Sequence, residues 1–192
     1  IMTRALANSA TSASGSKAAV LVAVAGALGA AAWFVHRRSR QAQSKNPPLG
    51  QFVEVDGVKL HYVERGHGQP LVLLHGNGTS VLDLEISGLI DKAAKEYRVI
   101  AIDRPGYGYS ARPSGRRWGP ASQAEVIHRA LMQLGVHQPI VLGHSWATLV
   151  AVELALRDPQ YVKRLVLLSG YYFPTMRLDT LVLAGFQFLS IP

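Results

Sequence analysis

Cysteine is absent from the 192 residues, which excludes a disulfide scaffold, a thiolate metal site and a cysteine nucleophile. Acidic residues are absent from the first 50 positions, where Arg4, Lys17, Arg37, Arg38, Arg40 and Lys45 stand unopposed; the remainder holds 14 basic and 12 acidic residues. The formal charge of +8 therefore belongs mainly to the N-terminal segment. No zinc-finger or RNP-type motif accompanies it, so nucleic acid is not an expected partner. No group of His, Asp and Glu stands at ligand spacing, and neither metal nor cofactor is expected. Internal repeats are also missing. What remains, 48% hydrophobic against 17% charged residues, predicts one packed domain.

Charge is missing again between Ala18 and Val35, a run that spans about 27 Å as a helix. Trp33 and Phe34 end it, and His36, Arg37, Arg38 and Arg40 follow. That arrangement predicts a single-pass membrane anchor with the domain on the cytoplasmic side. The competing reading is a cleaved secretory signal ending at Ala30–Ala32; basic residues directly after the apolar run weigh against it. The expected organisation is a polar tail over 1–17, an anchor over 18–35, a linker over 36–50, a domain over 51–173 and the start of a cap over 174–192.

Within the domain, Phe52–Val55 and Lys59–Val63 alternate around Asp56-Gly57 and predict an antiparallel hairpin. Four short apolar runs, Leu71–Leu74, Val99–Ile102, Ile140–Leu142 and Leu165–Leu168, read as strands covered on both faces. Helix-length stretches lie between them at Leu82–Glu96, Ala121–Leu134 and Ala147–Arg157. The alternation predicts an α/β fold with a mostly parallel sheet and an antiparallel leading hairpin.

Gly143-His144-Ser145-Trp146-Ala147 carries a buried strand straight into a helix, the context of a nucleophile elbow. The turn is strained, so its neighbours two positions away must be small, as Gly143 and Ala147 are. The plain alternative for Ser145 is a helix cap. His75-Gly76-Asn77-Gly78 ends the strand Leu71–Leu74, where a Gly-rich turn presents backbone N–H groups to a developing oxyanion. Asn77 is the expected first donor and Trp146 the second, with His75, Gly76, Gly78, Gly143 and His144 as supporting loop residues. A tight turn without chemistry is the alternative there. Asp103-Arg104-Pro105-Gly106-Tyr107-Gly108-Tyr109-Ser110 lacks both a Gly-Lys-Ser/Thr ending and a helix-opening Gly-x-Gly-x-x-Gly, which disfavours nucleotide binding. Asp103 is expected to be structural, pairing with Arg104 or with loop N–H groups. Arg112, Arg116, Arg117 and Trp118 read as a solvated loop.

In this order of motifs the chain resembles the N-terminal two-thirds of an α/β-hydrolase core over about residues 51–173. The resemblance implies Ser145 as nucleophile, with Asn77 and Trp146 as oxyanion-hole residues. Asn77 and Trp146 are also similar to the corresponding residues of haloalkane dehalogenases, whose nucleophile is Asp; epoxide hydrolases of this fold use Asp too. A serine suits acyl transfer, so carboxylic esters, lactones or related acyl compounds are the implied substrates, and the apolar residues of 174–192 imply a lipophilic one.

Histidine is missing where this family needs it. All seven histidines, His36, His61, His67, His75, His128, His137 and His144, precede Ser145, whereas the triad runs Ser, acid, His in chain order. After Ser145 the acids are only Glu153, Asp158 and Asp179. Two expectations follow: a fragment of a serine hydrolase, inactive by itself, or a non-catalytic binding domain that keeps the elbow without the triad.

Overall fold

The structure, a computed structural model, describes the backbone over residues 2–172 and the side chains of 19–41 and 43–172. It comprises two compact units, one holding the N-terminal helix and the other beginning at Pro48. The expected cap over 174–192 lies outside the described residues.

Helix α1 (Met2–Lys45) contains one stretch, Ala19–Lys45, long and apolar enough to cross a membrane. The stretches read as a polar tail and as the first part of a linker are helical too. Arg, Gln, Ala and Lys from Arg37 onward are good helix formers, and Pro47-Pro48 stops the helix by barring α geometry before proline. The Arg37 guanidinium lies 5.3 Å from the Trp33 ring centre and that of Arg38 lies 5.2 Å from Phe34. Both pairs are four residues apart, the spacing at which helical side chains meet.

The second unit is built on a six-stranded sheet of order β1-β2-β4-β3-β5-β6. The strands are β1 (Gln51–Val55), β2 (Val58–Arg65), β3 (Gln69–Leu74), β4 (Tyr97–Ile102), β5 (Ile140–His144) and β6 (Arg164–Leu168). Pairs β1–β2 and β2–β4 are antiparallel, and β4–β3, β3–β5 and β5–β6 are parallel. Period-two alternation divides the buried strands between two core layers. Val72, Leu74, Ile100 and Ile102 pack with Val126, Ile127 and Leu131 of α4 (Pro120–Gln133) and Val150 and Leu154 of α5 (Ala147–Arg157). Leu71, Leu73, Val99 and Ala101 face the other way, onto Val81 of α2 (Val81–Ile86) and Ile90 of α3 (Leu89–Ala93). Because the chain leaves β3 for β4 on one side and returns to β5 on the other, the carboxyl ends of β3 and β5 flank the point where the winding reverses.

Two expectations need correction. The single helix over 82–96 is two helices, because Gly88 adopts φ +71 and breaks the register between them. Trp118 is no solvated loop residue; it is 92% buried in the larger core layer and its Nε1–H donates to the Pro113 carbonyl at 3.1 Å. Arg116 of the same stretch pairs with Glu125 of α4 at 2.9 Å.

Among the described residues, β6 is the outer strand of its side of the sheet, with Val166, Leu167 and Leu168 exposed by 37, 38 and 45%. An open, apolar strand edge is a template for further strands. The 192-residue chain is therefore expected to self-associate, and Leu167→Lys to shift it toward monomer in light scattering after gel filtration. Equal association of both forms would show that this edge is not the contact.

Candidate active site

The turn from β5 into α5 is local physics made visible. β5 ends at His144, α5 starts at Ala147, and Ser145 between them has φ +53, a left-handed conformation that costs a non-glycine residue about 1–2 kcal/mol. Three hydrogen bonds hold it there: its N–H donates to the Leu168 carbonyl at 2.8 Å, and its carbonyl accepts from Thr148 Oγ1 at 2.7 Å and from the Thr148 N–H at 3.1 Å. A Cβ on Gly143 would stand 2.7 Å from the Ala147 oxygen and 2.9 Å from Thr148 Cα, so no larger residue fits under the turn. Among the described residues the Ser145 hydroxyl has no hydrogen-bond partner and is half-buried. This is not the environment of a helix cap, whose side chain would be bonded to a first-turn N–H.

The turn after β3 packs directly on that bend. A Cβ on Gly76 would lie 3.3 Å from Ser145 Cβ and 3.0 Å from His144 Nδ1, so glycine is what allows the approach. Gly78 and His144 are exposed. Asn77 Oδ1 accepts from Arg104 Nη2 and from the Tyr107 hydroxyl, both at 2.9 Å, which turns its amide nitrogen the other way. Neither the Asn77 nor the Trp146 backbone N–H donates to any acceptor among the described residues. The structure thus brings Gly76, Asn77, Gly143, His144, Ser145 and Trp146 into one locus.

His75 is buried and fully committed. Its Nδ1–H donates to the Gly76 carbonyl at 2.8 Å and its Nε2 accepts the Arg104 backbone N–H at 3.0 Å. A second ring proton would face a donor. Burial first, and the Arg104 charge second, push its pKa down to about 4. An unfolded His75 takes up its proton near pH 6.5, so below that pH the unfolded chain binds more protons than the folded one. Stability is intact above pH 6.5 and is lost as the pH falls toward 4, by about 3 kcal/mol. Burial lowers His128 as well, which adds a smaller loss of the same sign. Urea unfolding at pH 7.5 and 4.5 checks this, and His75→Gln is expected to shrink the difference. An undiminished difference would place the pH sensitivity elsewhere.

Asp103 is structural as expected, and of the two partnerships foreseen for it the structure shows the one with N–H groups and not the one with Arg104. Its Oδ2 accepts from His61 Nδ1 at 2.8 Å and from the Tyr109 N–H at 3.1 Å, and its Oδ1 accepts the first N–H of α2, that of Val81, at 2.8 Å. The two side chains diverge because Arg104 turns toward the β3 turn while Asp103 turns toward β2. Arg104, Tyr107 and Gln123 went unassigned in the sequence. The signal for Arg104 was a second charged residue straight after the buried apolar run Val99–Ile102, at the carboxyl end where α/β sites lie.

The profile of the alpha/beta hydrolase fold family matches residues 69–192. A 2-hydroxymuconate semialdehyde hydrolase of Pseudomonas putida is 32% identical over 142 residues, covering 72% of this chain and 50% of that protein. Of solved structures, a meta-cleavage product hydrolase from Pseudomonas fluorescens IP01 superposes with a TM-score of 0.63 at 27% identity, over 68% of this chain and 48% of that one. A bacterial membrane phospholipase A superposes with a TM-score of 0.62 at 25% identity, over 82% of this chain and 51% of that one. The chain spans about half the length of the curated relatives it matches.

Proposed function

This chain belongs to the α/β-hydrolase family, and we propose that within it the chain is the nucleophile-bearing part of a serine hydrolase acting on a lipophilic ester, lactone or related acyl substrate. The observation that carries the reading is the positive φ of Ser145, whose hydroxyl has no partner among the described residues, against the Gly76-Asn77 turn. Backbone strain of this size persists where the surrounding structure imposes it, and sites of chemistry are where it collects. Ser145 Oγ attacks the carbonyl carbon; the oxyanion that forms is held by the N–H groups of Asn77 and Trp146; collapse expels the alcohol, and water releases the acid from Ser145. His75, with both ring nitrogens occupied, is not the base. The proton that leaves Ser145 Oγ and returns to the departing alcohol requires a general base, which the triad order of this fold places after the nucleophile; no histidine follows Ser145 in the 192 residues.

A lipophilic substrate and a membrane anchor support each other. The apolar stretch of α1 with its Trp33–Arg37 and Phe34–Arg38 pairs suits a bilayer boundary, and a membrane phospholipase is among the structures this chain resembles. With the arginines on the cytoplasmic side, the domain is cytoplasmic.

The test is labelling of the full-length protein with a fluorophosphonate probe. Adduct on the peptide containing Ser145, lost in Ser145→Ala, supports the hydrolase. No adduct with a folded protein would favour the binding-domain reading.

A further inference from the structure

The buried side chain that the proposed chemistry leaves over is Arg104. It is fully buried, is bonded to no carboxylate among the described residues, and receives neutral partners only. Its Nε–H donates to the His75 carbonyl at 2.7 Å, Nη2 to the Gly76 carbonyl and to Asn77 Oδ1 at 2.9 Å each, and Nη1 to Gln123 Oε1 at 3.2 Å. Gln123 is itself fixed on α4 by donating to the Trp118 carbonyl at 3.0 Å. The guanidinium carbon lies 4.4 Å from the Tyr107 ring centre and 4.8 Å from that of Trp146.

From these contacts we infer that Arg104 is the positioning residue of the oxyanion hole, setting both of its arms with one rigid fork. The inference rests on the reading of Ser145 as nucleophile. In a trans peptide the C=O and the following N–H point in opposite directions. Drawing the Gly76 carbonyl onto Nη2 therefore turns the Asn77 N–H away from Arg104. His75 Nδ1 and Thr79 Oγ1, at 2.8 and 3.2 Å, hold the same oxygen and leave the peptide no second orientation. Holding Oδ1 likewise turns the Asn77 side-chain amide outward as a further donor. The second arm is Trp146, whose ring rests on the guanidinium, so the residue that follows the nucleophile and the turn that faces it share one support.

A planar five-donor group is the one cation that meets three oxygens of one turn and an aromatic face at once; it is also weakly hydrated, which suits burial. Lysine carries the same charge on a flexible stem with no fork. Arg104→Lys thus separates positioning from charge.

In the full-length protein with p-nitrophenyl butyrate, Arg104→Lys is expected to lower kcat about 100-fold while KM stays within about threefold, and the NMR order parameters of the amides at 76–78 are expected to fall. Gln123→Met, which frees Nη1 and the Trp118 carbonyl but leaves every bond from Arg104 to the turn in place, is expected to lower kcat by about three- to tenfold with the same KM, and decides the matter where Arg104→Lys does not fold. A kcat for Arg104→Lys within about threefold of the parent, or order parameters of the turn unchanged from the parent, overturns the inference. Failure of the nucleophile reading is told apart by Ser145→Ala: if that variant keeps full activity, Ser145 is not the nucleophile, while the order parameters at 76–78 in Arg104→Lys still report whether the fork holds the turn.

Discussion

Replacing Ser145 by alanine is expected to reduce ester hydrolysis by the full-length protein by about 10⁵- to 10⁶-fold, the loss seen when the nucleophile of a serine triad is deleted. What survives is the acceleration that oxyanion donors and binding supply without a nucleophile, about 10³- to 10⁴-fold over water. The loss should fall on kcat, because the donors on Asn77 and Trp146 stay where Arg104 and α5 hold them. Folding should be little changed, since alanine at φ +53 suffers the same left-handed strain as serine. Glycine does not. Ser145→Gly is expected to be about 1 kcal/mol more stable than Ser145→Ala in urea unfolding, the left-handed penalty being relieved and partly offset by the freer unfolded chain. Equal stability of the two would mean that the bend stores no strain, and retained hydrolysis in both would remove Ser145 from the chemistry.

The second large effect is one of stability. Asp103→Ala is expected to cost about 3–5 kcal/mol, because each buried donor left without its acceptor costs about 1–3 kcal/mol. Three donors lose their acceptor together: the His61 ring and the N–H groups of Val81 and Tyr109. His61 has nowhere else to turn, its Nε2 being buried without a partner among the described residues. The damage extends beyond one pocket, because the carboxylate ties β2, the first turn of α2 and the loop after β4 to one point, and the Ser110 hydroxyl closes the ring by donating to the Asp103 carbonyl and accepting the His61 N–H. Asp103→Asn should lie between, keeping an oxygen for Val81 while setting its NH₂ against two donors. Urea unfolding monitored by far-UV circular dichroism measures both; a loss below about 1 kcal/mol for alanine would show that the carboxylate is replaceable by water.

Strand positions, the leading hairpin and the bend at Ser145 were legible because each depends on residues close in the chain. A turn that cannot hold a large neighbour writes Gly143 and Ala147 into the sequence, and strands buried on two faces write unbroken apolar runs. Helix ends were less legible. The apolar spacing of 82–96 continues across Gly88, and only its backbone conformation divides the helix. Trp118 among arginines looks solvated until α4 folds beside it and places the ring in the core.

By itself the sequence determined the α/β alternation, the bent serine and the apolar N-terminal helix, since periodicity and local strain are properties of neighbouring residues, and its order of motifs carried the resemblance to the α/β-hydrolase family. The partnerships of Asp103 and Arg104 were decided only by tertiary structure. Adjacent in the chain and opposite in charge, they form the obvious pair on paper. At the end of a strand, however, successive side chains leave on opposite sides. One reaches His61 of β2 and the other the turn after β3, partners 42 and 27 to 29 residues away that the order of strands alone brings together.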